Sequence, residues 1–266
     1  MRILFLISFL LFGLFGHSQD VSIVSWNIRD MGKTKDSSEI AFIASAMKDY
    51  DIIAIQEVVT SSYGEKAISS LTKELNKLLG CSCFEYALSD KTGGRGTEKY
   101  AFLYNRTDVD FIKAVLVKSM DSKIVREPYV GTFVVGGDTF KVVNFHAVPQ
   151  NKKPELEINI IAEIDTMTEL PLIFLGDFNH PQYDTGFDEL KRKGYAPSLI
   201  GKKTSLKIKL RDGEYFSKEF DNFFYDITHF RIRESYVIDF TKEFNNLSIA
   251  RNISDHCPVV IKIEFN

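Results

Sequence analysis

An apolar run from Leu172 to Leu175 passes through Gly176 into Asp177 and Asn179. Residues two apart in extended chain point to the same side, so this carboxylate and this amide share a face. Gly176, lacking a Cβ, lets a ligand or another backbone approach closely. A strand followed by an Asx turn would carry the same letters, and the stretch alone decides nothing. Three other apolar runs end in the same manner: "VSIVSWN" in Asn27, "DIIAIQE" in Gln56 and Glu57, and "TFKVVNFH" in His146. Each ending can bind a metal or move a proton. Strand ends and the loops after them are where α/β scaffolds assemble active sites. A shared site is preferred to unrelated turns.

The elements that must position these groups follow from pattern. The chain has 266 residues, 44% of them hydrophobic, enough for one large core or two small domains. It carries no internal repeat, low-complexity tract or linker-like segment, which favours one domain over residues 19–266. "SSEIAFIASAMKDY" has the helical spacing of Ile40, Ile43, Ala44 and Met47, with Ser37 or Ser38 as cap. It joins the runs ending in Asn27 and Glu57, as in a βαβ unit. A second helix is predicted over "GEKAISSLTKELNKLLG", stopped by Gly80, and a third from about Pro154 to Thr168. "FDELKRKGY" reads as helical. Strands are predicted near 83–88, at "KYAFLYN", and in a hairpin turning at Gly136-Gly137-Asp138, with "EFDNFFYDI" and "CPVVIKIEF" last. Helices mixed with strands and hairpins imply an α/β sandwich with mixed sheets.

Arg2, an apolar run from Ile3 to Phe15 and the small residues Gly16 and Ser18 predict a signal peptide over residues 1–18. That run is short for a membrane span. The expected product is a soluble monomer without a membrane anchor, secreted or periplasmic. Three cysteines, Cys81, Cys83 and Cys257, exclude a disulfide-dense scaffold; Cys81 and Cys83 could bridge or stay reduced. Sequons stand at Asn105, Asn246 and Asn252. Net charge is −3, yet residues 191–211 hold eight Lys or Arg and no acid. Such a stretch can neutralise phosphates or simply face solvent.

Eight segments, "SWNIRD", "IQEV", "EKYAFLYN", "VREP", "NFHAVP", "LGDFN", "FDNFF" and "ISDHCPV", occur in this order over nearly the whole chain. The set resembles the endonuclease/exonuclease/phosphatase superfamily, and within it the pancreatic-type deoxyribonuclease I family most. The resemblance implies a four-layer sandwich of two mixed β-sheets flanked by helices. It implies that Asn27 and Glu57 hold a divalent metal, completed by Asp255. Asp177 and Asn179 would orient the scissile phosphate or attacking water and are candidates for a second metal. Oxygen ligands independently suit Mg²⁺, Mn²⁺ or Ca²⁺. By similarity, His256 helps activate water and His146 protonates the leaving oxygen, with Asp221 and Glu98 as the carboxylates behind them. Arg126 would bind phosphate. Trp26 and Phe178 read as core, Gln56 as a residue orienting Glu57, and His180, Asp184 and Asp188 as surface.

Two positions depart from the pancreatic pattern. Val59 stands where that family places a minor-groove arginine, and Gly96 where it places a tyrosine. Arg95, Arg106 or the basic stretch could substitute, with Lys202, Lys203 and Thr204 gripping phosphates beside the site. The implied activity is metal-dependent endonucleolytic hydrolysis of DNA by activated water, leaving 5′-phosphates. A phosphatase or phosphodiesterase acting on a lipid head group or small phosphate ester is the alternative. The candidate of another class, a non-catalytic exported binding module, fits poorly with nine intact site residues.

Overall fold

The computed structural model describes residues 20–94 and 97–266. The expected leader at 1–18, Arg95 and Gly96 lie outside the described residues. The first sheet contains β1 (Val21–Met31), β2 (Ile52–Val58), β3 (Phe84–Leu88) and β4 (Lys99–Asn105), with β13 (Phe230–Val237) and β14 (Val259–Phe265) from the far end of the chain. Its order is β13–β14–β1–β2–β4–β3. The second sheet contains β5 (Asp110–Leu116), β6 (Tyr129–Val135), β7 (Asp138–His146), β8 (Leu172–Asp177), β9 (Tyr195–Pro197) and β12 (Asp221–Asp226), in the order β5–β6–β7–β8–β12–β9. Between them in sequence, β10 (Leu206–Arg211) and β11 (Glu214–Phe216) make a separate hairpin.

Each large sheet has one parallel pair, β1–β2 or β7–β8, and is otherwise antiparallel. A parallel pair needs a crossover. Helix α1 (Ser37–Met47) supplies the first, and α3 (Pro154–Ile161) with 3₁₀ turns over Ala162–Met167 supplies the second. Both strands of a parallel pair finish at the same edge. The two pairs therefore deliver four strand ends to one side of the molecule.

Alternation divides the apolar residues among three clusters. Ile23, Ile52, Tyr100, Phe102, Phe133, Phe140, Ile173 and Phe223 fill the seam between the sheets. Val24, Trp26 and Ile53 face outward to α1 and to α2 (Ser62–Leu79). Phe145, Phe174 and Phe224 face the opposite layer, with Ile158 and Ile161 of α3 and Leu190 of α4 (Asp188–Arg192). The result is the expected four-layer sandwich. Strands buried on both faces read as continuous apolar runs, as β8 does.

Some details differ from expectation. The cap of α1 is Asp36, whose side chain accepts from Ser38 N and Glu39 N while Glu39 reaches back to Asp36 N. The third helix stays α-helical only to Ile161. Strands β5, β10, β11 and β13 carry enough solvent-facing polarity to escape the apolar pattern. Cys81 and Cys83 are bridged, and Cys257 is buried and unpaired.

Candidate active site

Strand register assembles the chemistry. His146 stands level with Asp177 across the parallel pair, and Asp221 stands level with Asp177 on its other side. In the first sheet Asn27 is level with Gln56, which places Glu57 at the same edge. His256 follows α5 (Leu247–Ile253) in the loop before β14. Gly176 at the end of β8 has φ +131°, and a Cβ there would sit 1.9 Å from the Phe145 carbonyl oxygen. The close approach it permits is that of a neighbouring strand, not of a ligand.

Asp177 is the hub, 1% exposed. Its Oδ2 accepts from Asn27 Nδ2 at 3.0 Å and lies 3.5 Å from His146 Nε2 and 3.6 Å from His256 Nε2. Its Oδ1 accepts from the Asn179 backbone at 2.8 Å, and Asn179 takes φ 51° to make that turn. Each imidazole has its own carboxylate on the opposite nitrogen. Glu98 Oε2 is 2.9 Å from His146 Nδ1, and Asp221 Oδ2 is 2.8 Å from His256 Nδ1. A carboxylate at Nδ1 sets the tautomer and aims Nε2 at the site.

Burial alone would depress His256, but Asp221 and Asp177 outweigh it and raise its pKa to about 10. His146 is raised as well, because Glu98 and Asp177 overcome its desolvation. Burial would lift Asp177, yet the two imidazoles hold it below the usual carboxylate range. Burial lifts Asp221 against the pull of His256.

Asn27 Nδ2 is divided between Asp177 and Glu57 Oε1, the latter at 3.1 Å. Its Oδ1 is buried without a donor. An orphaned amide oxygen beside two carboxylates is a donor set that fits a hard divalent cation. Asp177, Asp221 and His256 also offer ligand atoms within 4.8 Å of one another. Glu57 sits at φ 61°. Its backbone N–H donates to Glu98 Oε1 at 3.2 Å, and its Oε2 accepts from Asp30 N at 3.3 Å. Glu98 thus ties the His146 side of the site to the Glu57 side.

Asp255 pairs with Arg251 Nη2 at 3.3 Å. Several other residues take roles that differ from those expected. Arg126 is buried rather than reaching outward. Its Nε donates to the His146 carbonyl at 2.9 Å and its Nη2 to that of Ala147, with Glu98 3.7 Å away. It braces the histidine segment. Thr204 is fully buried, its hydroxyl donating to Asp221 Oδ2 at 2.6 Å and accepting from Phe220 N and Asp221 N, so it positions Asp221 and is not a surface phosphate grip. Lys202 and Lys203 are exposed just before it, Lys203 lying 3.8 Å from Glu214. Gln56 bonds Ser25 and Asn144 instead of Glu57. His180 is half-buried, 3.0 Å from Asp184 and stacked on Phe187. Arg106 pairs with Glu85. The basic stretch is dispersed, with Arg192 on Glu189 and Lys193 on Asp165.

Two supporting residues stood inside quoted motifs without a role. Ser254 Oγ donates to the Asn27 carbonyl at 2.6 Å and accepts from His256 N at 3.0 Å, locking those two segments together. The Tyr100 hydroxyl accepts from His146 N at 3.2 Å.

This sandwich and its paired histidine–carboxylate centre define a class. Residues 24–256 match the endonuclease/exonuclease/phosphatase family, and the chain belongs to it. A curated relative is Deoxyribonuclease-1-like 1 of Sus scrofa, 26% identical over 273 residues that cover 96% of this chain and 84% of that one. Among solved structures, the mannosyl-6-phosphatase Bt3783 of Bacteroides thetaiotaomicron has TM-score 0.67 and 19% identity, covering 92% of this chain and 100% of that one. TDP2 of D. rerio, complexed with a single strand DNA product, also has TM-score 0.67, at 16% identity, covering 92% and 99%. These structures share the fold. The family's members are hydrolases, and nucleases and phosphatases both occur among the similar proteins.

Proposed function

We propose that the protein is an exported, divalent-metal-dependent endonuclease that hydrolyses DNA phosphodiesters with activated water, leaving 5′-phosphates. One observation carries the reading. Two imidazoles, each backed by its own buried carboxylate, bring Nε2 to within about 3.6 Å of the same oxygen of Asp177. A phosphodiester needs charge neutralised on its non-bridging oxygens and a proton for the leaving oxygen. A proton-bearing His146 can supply the second, and the cationic groups around this centre can serve the first.

In this reading Asn27 and Glu57 hold Mg²⁺, or Mn²⁺ or Ca²⁺, with Asp177 and Asn179 as the side shared with phosphate. A bound cation supplies charge neutralisation and a more acidic water. With a cation bound nearby the imidazolium form of His256 is disfavoured, and the neutral imidazole, backed by Asp221, would then take the proton of the attacking water. His146, held by Glu98 and braced by Arg126, donates to the leaving oxygen. The leader at 1–18 directs export, and the mature chain acts as a monomer.

The test is nicking of supercoiled plasmid by the mature protein with Mg²⁺ and Ca²⁺, with EDTA, and with His146→Ala. Nicking that requires metal and falls about 10²–10⁴-fold in the variant is expected, the range for loss of a general acid or base. Val59, apolar and half-buried beside Glu57, favours a second reading in which the substrate is a smaller phosphate ester. Wild-type protein that leaves plasmid intact but releases phosphate from such esters would establish that alternative.

A further inference from the structure

Beyond the catalytic centre, the loops that leave β1 and β2 meet in a cleft with an unusual distribution of charge. Gly32 packs against Val59, where a Cβ would lie 2.3 Å from a Val59 methyl, and Gly64 lies against the Val59 carbonyl. The two loops are thereby pressed together. Lys33 lies six residues past Asn27, and Tyr63 six past Glu57. Tyr63 is 45% exposed. The ammonium groups of Lys33 and Lys66 both sit 5.6 Å from its ring centroid. Neither lysine is in an ion pair among the described residues. The acids in the same cleft are committed elsewhere, Asp36 to the cap of α1 and Glu74 to Lys77. Lys35 donates to the Asn252 carbonyl.

Two like charges gathered on one aromatic ring repel each other, and the ring's negative face offsets only part of that. A ligand carrying phosphate between them relieves the repulsion. Val59 brings no charge to the ground beside Glu57, and this pair supplies cationic groups on that flank. We propose that Lys33, Lys66 and Tyr63 form a subsite that grips backbone phosphates of the nucleic acid next to the scissile bond. The subsite rests on the nuclease reading above. Tyr63 acts by holding both ammonium groups in place before the strand arrives.

The test is fluorescence anisotropy with a labelled DNA duplex and Mg²⁺, in the His146→Ala background so that the duplex stays intact. Adding Lys33→Glu and Lys66→Glu is expected to weaken binding at least tenfold at low salt. The slope of log affinity against log salt should shrink by about 1.8, the loss of two phosphate contacts. Tyr63→Ala should weaken binding several-fold and Tyr63→Phe should restore it. Unchanged melting temperatures would show that the variants fold. If wild-type protein nicks plasmid while the charge-reversed protein keeps both affinity and slope, the subsite is wrong and the nuclease reading stands. If the parent His146→Ala protein binds no duplex and the wild type nicks none, both fail. Equal loss of inhibition by inorganic phosphate would move the lysines onto the scissile phosphate itself and overturn the flanking position.

Discussion

The histidines owe their chemistry to what stands behind them. His256 has a folded pKa of about 10 against roughly 6.5 for an unperturbed imidazole. Its proton is bound more tightly in the folded state, so it contributes stability that is complete below about pH 6.5 and is lost as pH rises toward 10. In EDTA, the melting temperature is expected to fall across that window, and His256→Gln should flatten the slope. A wild-type profile that is level from pH 6.5 to 10 would refute this. Thr204 makes a second test. Thr204→Val removes the donor to a fully buried carboxylate, which typically costs about 1–3 kcal/mol. Chemical denaturation should report that loss, and the rate profile should shift its basic-residue limb as Asp221 loses a partner. His146 and Asp177 were legible in sequence because each closes an apolar run, and His256 through the family-like segment "ISDHCPV". The work of Thr204 was not. Its partner lies 17 positions on, brought back by the β10–β11 hairpin, and the lysine pair before it suggests a phosphate grip instead.

Elements succeed or fail by what they must pack against. Gly176 lies where β8 runs against the Phe145 carbonyl, at a φ that side chains rarely adopt. Gly176→Ala is expected to cost several kcal/mol, as strained backbone combined with overpacking does, and to leave little soluble folded protein. A melting temperature within a few degrees of wild type would contradict that. At the other extreme of scale, Asp36→Ala removes the cap of α1 and should lower the melting temperature modestly without disturbing the site. The helices α1 and α2 and the doubly buried strands were readable because their apolar periodicity is a direct image of burial. Edge strands β5 and β13 were not, since one face meets water and the letters on it are free to vary. The β10–β11 turn carries a signal of its own in Asp212-Gly213, both at positive φ.

At the scale of the whole molecule, the candidate site groups are split between two sheets whose strands do not pair with each other. Asn27 and Glu57 belong to the first sheet, His146, Asp177 and Asp221 to the second. Across the otherwise apolar seam, Gln56 Nε2 donates to Asn144 Oδ1 at 2.7 Å, and Asn144 Nδ2 donates to the Ile55 carbonyl at 3.2 Å. Gln56→Leu should therefore cost about 1–3 kcal/mol through the unsatisfied amide left behind. It should also lower metal affinity, since it loosens one half of the site against the other; isothermal titration with Mn²⁺ checks this, and unchanged affinity would sink it. The order of the strands has another consequence. β1 has its place between β2 and β14, and Trp26 Nε1 donates to the His256 carbonyl across 230 positions at 2.6 Å. Asn27 precedes His256 by most of the described chain. A nascent polypeptide that has not yet reached β14 carries Asn27 and Glu57 without the strand and the histidine that pack beside them. For the nuclease proposed above, the order of translation would itself be a safety catch.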